Sequence, residues 1–124
     1  MAVYENDAEL DYDNYSKFCD RIMKRYVDQF ASVFIMFALS KAAREPLSFG
    51  DLYTEELDEY IDFEDTMPLW EEGDIETLGE IFVEGIYNYC VDVSGKFPTH
   101  SKIHYRQRWA TNIETGLKSV GLRV

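Results

Sequence analysis

Apolar residues recur at spacings of three and four along residues 15–37, which is the period of one face of an α-helix. The series is Tyr15, Phe18, Cys19, Ile22, Met23, Tyr26, Phe30, Val33, Phe34 and Phe37. Asp13 or Asn14 is a suitable N-cap, and the helix must end before Pro46. We therefore predict one long amphipathic helix. Residues 33–37 are apolar on every side, which indicates a segment enclosed by other helices or by a second subunit.

The next segment with helix signals is short and acidic. Residues 46–50 have turn composition, after which Asp51 or Thr54 can cap a second helix. Its predicted inward residues are Leu57, Tyr60 and Ile61. Residues 63–73 follow as a predicted irregular acidic stretch.

Two further helices are predicted in the second half of the chain. Asp74 caps the third helix and Gly95 ends it, while Thr99 or Ser101 caps a fourth that ends at Gly121. The predicted inward residues are Leu78, Ile81, Phe82, Gly85, Tyr89 and Val93 on the third helix, and Trp109, Ile113, Leu117 and Val120 on the fourth. Strand-type alternation is nearly absent, so the predicted class is all-α.

A chain of 124 residues suits one compact domain of about four helices. We divide it into a loose acidic N-terminus (1–11), an acidic helical body (12–95) and a basic C-terminal helix (96–124). The sequence starts without a leader-type pattern, and its longest apolar run, residues 31–39, is about half of what a bilayer crossing needs. We expect a cytoplasmic protein, in the host cytoplasm if it is viral, with Cys19 and Cys90 as buried thiols.

Charge is divided very unevenly along the chain, whose formal net charge is −12. Residues 1–95 hold 23 of the 24 acids and 6 of the 12 bases, whereas residues 96–124 hold 6 bases and one acid. Between Arg44 and Lys96 there are 16 acids and no base. A surface that serves only solubility normally mixes the two signs. The acidic body therefore predicts an interaction surface for a basic partner.

Carboxylates of the third helix form the most regular part of this predicted surface. Glu76, Glu80, Glu84, Asn88 and Asp92 follow one another at steps of four, about 6 Å apart along the helix. Such a row could imitate the phosphates of a nucleic-acid backbone. One DNA strand carries a phosphate about every 3.4 Å, so the row alone has about half that charge density, and the acids of residues 55–72 bring the surface nearer to it. The predicted partner-binding residues are Glu55, Glu56, Asp58, Glu59, Asp62, Glu64, Asp65, Trp70, Glu71, Glu72, Glu76, Glu80, Glu84 and Asp92. Among them Trp70, together with Phe63 and Met67, is predicted to be an exposed apolar anchor.

In size, charge, aromatic content and the base-free stretch 45–95, the chain resembles small acidic helical proteins of bacteriophages and mobile elements. Those proteins block host restriction, CRISPR or other nucleic-acid-binding enzymes. The resemblance implies an inhibitor that occupies the basic nucleic-acid-binding surface of a partner enzyme. It rests on composition, so it assigns no role to individual residues. That the chain is not itself an enzyme is predicted separately, from its lack of catalytic motifs.

The basic C-terminal helix allows three arrangements. It can pack on the acidic body and neutralise part of it, or pair with the body of another copy, which describes a homodimer or an assembly subunit of a viral or multiprotein particle. It can also bind DNA as a small regulator, because Lys102, Arg106 and Arg108 accompany Tyr105 and Trp109. The field of the acidic body opposes direct nucleic-acid binding.

No catalytic motif is present. The P-loop, dinucleotide-binding, metalloprotease and nucleophile-elbow patterns are all absent. His100 and His104 share a helical face in a spacing that suits zinc, yet the flanking residues offer no third or fourth ligand. The sequence therefore predicts no catalytic residue, no cofactor and no metal.

Overall fold

Four α-helices make up most of the chain in the computed structural model, which describes residues 7–44 and 55–122. They are α1 (Asp7–Ala42), α2 (Met67–Glu72), α3 (Ile75–Ser94) and α4 (Lys102–Ser119). Two 3₁₀ turns, Glu55–Leu57 and Glu64–Thr66, precede α2, and the described residues contain no strand. The predicted all-α class is confirmed.

Helix α1 begins earlier than predicted. It starts at Asp7, so the caps predicted at Asp13 and Asn14 are wrong, as is the loose structure predicted for residues 7–11. The apolar series used for the prediction begins only at Tyr15, but the backbone hydrogen bonds of a helix can continue N-terminal of its apolar face.

The two predictions for residues 55–73 need correction. In the described part of the predicted second helix, residues 55–62, there is one 3₁₀ turn, since carboxylates four apart in the run from Glu55 to Asp62 disfavour a longer helix. Residues 64–72 are helical where an irregular stretch was predicted, and Pro68 lies in the first turn of α2, where its missing N–H costs nothing. The predicted caps Asp51 and Thr54 and the turn at 46–50 lie outside the described residues.

The cap predicted for the third helix is confirmed, and of the two candidates for the fourth helix, Thr99 and Ser101, the structure selects Ser101. The carboxylate of Asp74 accepts a hydrogen bond from the backbone N–H of Thr77 at 3.1 Å, and the hydroxyl of Ser101 accepts one from the N–H of His104 at 3.2 Å. Gly95 ends α3 with a φ of 71°, a left-handed conformation that favours glycine.

Helices α1, α3 and α4 pack against one another around an aromatic core. The ring of Phe82 lies at its centre, 4.9 Å from Phe30 and 5.5 Å from Trp109 between centroids. Leu57 and Ile61 are buried as predicted. The predicted inward residues Val93 and Val120 are exposed instead, because they lie at helix ends where no neighbouring element covers them.

The apolar stretch 33–37 is only partly enclosed. Val33 and Phe34 are buried, whereas Met36 is 51% exposed. Cys19 and Cys90 are buried free thiols, as predicted, and each sulfur lies within 3.8 Å of the other residue's carbonyl oxygen. Burial raises the pKa of the Cys90 thiol to about 12.

Candidate protein-binding surface

The base-free acids at residues 56–62 lie on a segment that two apolar side chains fix to the body. Leu57 and Ile61 are buried, and Ile61 packs where Gly85 of α3 has no side chain. The N–H groups of Tyr60 and Ile61 both donate to the carbonyl oxygen of Leu57 at 2.9 Å. With the inward positions taken by these residues, the neighbouring carboxylates are exposed. They are Glu56, Asp58, Glu59 and Asp62.

Three tyrosines lie among these carboxylates. The hydroxyl of Tyr60 donates to Asp92 of α3 at 2.7 Å, and that of Tyr26 donates to Glu56 at 3.4 Å. The ring of Tyr60 meets that of Tyr89 edge to face, with centroids 5.7 Å apart. The hydrogen bond to Asp92 raises the pKa of Tyr60 to about 12. Burial, together with the charge of Glu56, also raises the pKa values of Tyr26 and Tyr89.

We call this surface the acid–tyrosine face, defined by Glu56, Asp58, Glu59, Tyr60, Asp62, Tyr89 and Asp92. Glu64 and Asp65 are exposed and continue the acidic chain beyond it, where Asp62 accepts the N–H of Asp65 at 3.2 Å. The four ion pairs among the described residues involve no carboxylate of this face. Tyrosine combines apolar area with a polar group, which is typical of protein interfaces.

The predicted carboxylate row on α3 is not one straight line. Residues four apart are rotated by about 40° at each step, so the row turns by about 160° between Glu76 and Asp92. Glu80 and Glu84 therefore face α4, whereas Asp92 faces Tyr60. The row contributes to two separate surfaces.

Helix α4 neutralises the first of these surfaces. Lys102 pairs with Glu84, and a guanidinium nitrogen of Arg106 lies 4.0 Å from Glu80. Arg108 makes two hydrogen bonds to Asp28 of α1, at 2.8 and 2.7 Å, which raise the pKa of its guanidinium. The basic helix thus packs on the acidic body, which is one of the arrangements that the sequence left open.

The remaining predicted site residues are distributed over other surfaces. The side chain of Glu55 lies outside the described residues. Glu71 and Glu72 are exposed on α2, and Glu76 is exposed at the start of α3.

Trp70 is not an exposed anchor, so this prediction is wrong. The side chain is 1% exposed, its ring lies 5.5 Å from that of Phe34, and its indole N–H donates to the hydroxyl of Thr66 at 3.1 Å. Its burial follows from the helical structure of residues 64–72, which turns Trp70 toward α1. Phe63 and Met67 are half-buried.

The aromatic residues of the basic end are also in the core. Tyr105 and Trp109 are buried, and the indole N–H of Trp109 donates to the carbonyl oxygen of Ile75 at 2.8 Å. Neither ring is available to stack on a base. The rings of His100 and His104 stack at 4.1 Å, and no group of three potential metal ligands occurs in the described part of the chain.

No family model, curated protein sequence or solved structure matches this chain. Within residues 7–44 and 55–122, no helix is both long enough and apolar enough to cross a membrane.

The sequence did not indicate the tyrosine contribution to this surface. Tyr60 was predicted to point inward, and Tyr26 and Tyr89 appeared only as members of apolar faces. A local signal did exist, because tyrosine at the edge of an apolar face often directs its hydroxyl toward solvent. The carboxylate that Tyr26 contacts, Glu56, is 30 positions along the chain, and the one that Tyr60 contacts, Asp92, is 32 positions along, so only the tertiary structure brings these pairs together.

Proposed function

We propose that this protein binds a basic partner protein through the acid–tyrosine face and occupies the partner's nucleic-acid-binding surface. The observation that carries the proposal is that the acids are divided between a surface with bases opposite it and a surface without them. Those facing α4 have bases opposite them, whereas those of the acid–tyrosine face have none among the described residues. Adjacent unpaired carboxylates repel one another, and the bases of a partner would relieve that repulsion.

Charge and tyrosine have different roles in this binding. Exposed carboxylates accelerate association with a basic surface and make the affinity fall as salt is added. The half-buried rings of Tyr60 and Tyr89 provide rigid area that desolvates well, which slows dissociation. A partner that normally binds nucleic acid has the required positive groove, so this protein would compete with DNA or RNA for it.

The test neutralises the acidic face and leaves the fold intact. In the variant Asp58→Asn, Glu59→Gln, Asp62→Asn, three exposed carboxylates become neutral amides of the same shape, and position 62 keeps an oxygen that can accept the N–H of Asp65. Wild-type and variant proteins serve as bait in bacterial lysate, and the retained proteins are identified by mass spectrometry. We expect a nucleic-acid-binding enzyme that the wild type retains, that double-stranded DNA displaces, and that the variant loses.

A matched control separates the position of the charge from its amount. Thr111→Lys, Thr115→Lys, Ser119→Lys raises the net charge by the same three units at exposed positions of α4. We expect this control to retain the enzyme. If both variants lose it equally, net charge alone is responsible; if neither loses it, the acid–tyrosine face is not the binding surface.

A further inference from the structure

Two free thiols meet in the contact between α1 and α3, although they are 71 positions apart in the sequence. The sulfur of Cys19 lies 3.8 Å from the carbonyl oxygen of Cys90, and the sulfur of Cys90 lies 3.7 Å from that of Cys19. Besides burial, interaction with the Cys19 side chain raises the pKa of Cys90, as expected of adjacent thiols. Adjacent cysteine side chains that point toward each other are what a disulfide bond requires.

The turn between α3 and α4 covers this pair of thiols. The hydroxyl of Ser94 lies 3.1 Å from the sulfur of Cys19, and the carbonyl oxygen of Lys96 lies 3.8 Å from it. Both of these residues are half-buried, and their neighbours Gly95 and Phe97 are exposed. One layer of turn residues therefore separates the sulfur of Cys19 from solvent.

Hydrogen bonds to one carboxylate fasten the far end of this turn. Asp20 accepts the N–H groups of Thr99 and His100, at 3.0 and 3.3 Å, and the hydroxyl of Thr99. Thr99 and His100 are themselves exposed. Segments that a few solvent-accessible hydrogen bonds hold in place open locally more often than a packed core does. The turn is thus the part of the protein whose opening would uncover the thiols.

We propose that Cys19 and Cys90 form a disulfide bond when the protein meets a low-molecular-weight disulfide, and that opening of the turn admits this oxidant. One cysteine thiolate attacks a sulfur of the oxidant, which gives a mixed disulfide and releases one small thiol. The second cysteine attacks the mixed disulfide and releases the other small thiol. The two protein thiols are thereby oxidised, the small disulfide is reduced, and the two small thiols carry the protons.

The bond makes the stability of the protein depend on redox conditions. While the turn is closed, the pKa of about 12 leaves almost no thiolate on Cys90, and in a reducing compartment the pair persists as two thiols. Oxidation fastens α1 to α3 and restricts the unfolded chain, which stabilises the fold. No residue of the acid–tyrosine face takes part, so the inference is independent of the proposed partner binding.

Titration with mixtures of reduced and oxidised glutathione tests whether the fold brings the thiols together. Reduced protein is equilibrated in each mixture, in one series after refolding from urea and in the other in urea throughout. Mass spectrometry measures the fraction that has lost two hydrogen atoms. We expect the folded chain to be half oxidised under conditions about a hundredfold more reducing than the unfolded chain requires, which corresponds to a typical disulfide stabilisation.

Three results of this titration would overturn the proposal. The first is an equal midpoint for the folded and the unfolded chain, which would mean that the structure does not hold the thiols in position. The second is a mixed disulfide with glutathione that persists at equilibrium. The third is a covalent dimer in place of the internal bond.

A matched pair of variants tests the turn as the route of the oxidant. Thr99→Val removes the hydroxyl that donates to Asp20 and leaves the charge of that carboxylate in place. Asn112→Ala removes a donor to another carboxylate of α1, that of Asp28 at 2.6 Å, on α4 and outside the turn. Circular dichroism confirms that each variant is folded, and the rate of disulfide formation is measured in oxidised glutathione.

We expect folded Thr99→Val to be oxidised about tenfold faster than the wild type, since a hydrogen bond to a charged acceptor contributes about that factor to closing the turn. Asn112→Ala should react at the rate of the wild type. Equal acceleration in both variants would show that oxidation follows unfolding of the whole protein, and an unchanged rate in Thr99→Val would show that the turn does not control access. Either result would overturn the role proposed for the turn.

Discussion

The carboxylate of Asp20 joins parts of the chain that are 79 to 85 residues apart, and its bond to Tyr105 has the largest sequence separation of any hydrogen bond among the described residues. Its carboxylate accepts hydrogen bonds from the N–H groups of Thr99 and His100, at 3.0 and 3.3 Å, and from the hydroxyls of Thr99 and Tyr105. Burial alone would raise the pKa of Asp20, but these hydrogen bonds outweigh it, and the pKa is lowered. The interaction fixes the turn before α4 to α1.

Asp20→Asn should destabilise the protein by about 1.5 to 3 kcal/mol at pH 7. The substitution removes the negative charge and replaces one of the two accepting carboxylate oxygens with an NH₂ group, which cannot accept a hydrogen bond. The pKa of Asp20 is lower in the folded than in the unfolded state, so its contribution is complete above the ordinary carboxyl pKa of about 4 and is lost as the pH falls below it. Urea unfolding from pH 7 to pH 3 measures both effects. Glu114→Gln, at an exposed carboxylate, is the control, and an equal pH dependence in wild type and Asp20→Asn would contradict the assignment.

At the scale of the elements, glycines set how closely segments approach. Gly85 of α3 receives the 57–61 segment, and a Cβ there would lie 2.3 Å from Cγ1 of Ile61 and 2.9 Å from the carbonyl oxygen of Tyr60. Gly116 of α4 receives Ile35 of α1, and a Cβ there would meet only the end of that flexible side chain. A side chain at position 85 would collide with the backbone carbonyl of Tyr60, which cannot move easily, whereas one at position 116 would displace only the side chain of Ile35.

Gly85→Ala should therefore destabilise the protein by about 1 to 3 kcal/mol. Gly116→Ala should cost much less, because Ile35 can change rotamer and alanine gains roughly 1 kcal/mol of helix propensity over glycine. Urea unfolding of both variants measures the difference. Equal destabilisation would mean that the position of Ile61 against α3 is not fixed as described.

For the whole molecule, the acidic surface opposes stability. No base lies among the 16 acids between residues 45 and 95, and the bases of all four ion pairs among the described residues lie on α4. A net charge of −12 on a chain of this size repels itself.

We expect added salt to stabilise the wild type, since screening reduces this repulsion more than it weakens the few exposed ion pairs. The variant Asp58→Asn, Glu59→Gln, Asp62→Asn should be more stable than the wild type at low salt and should gain less from salt. Urea unfolding at about 0.02 and 0.5 M NaCl, spanning weak to strong screening, makes the comparison. A wild type that loses stability with salt would show that ion pairs dominate instead.

The sequence by itself determined the helical class, the cap at Asp74 and the left-handed end at Gly95. It also identified part of the core, namely Leu78, Phe82 and Gly85 of α3 and Trp109, Ile113 and Leu117 of α4, but it missed the buried residues Gly79, Val83 and Ile86. These features depend on spacing and on groups within a few residues of one another, which a linear pattern records. The uneven division of charge is likewise a property of the chain itself.

Only the tertiary structure decided which acids are neutralised. Glu80 and Asp92 belong to one sequence pattern, yet one faces Arg106 and the other faces Tyr60. The burial of Trp70 was also decided there, by the way the helical turns at 64–72 place it against Phe34. The physical reason is common to both cases. Periodicity defines the direction of a side chain relative to its own helix. Charge compensation and burial depend instead on which other element packs against that side of the helix, and this packing is set by contacts between residues far apart in sequence.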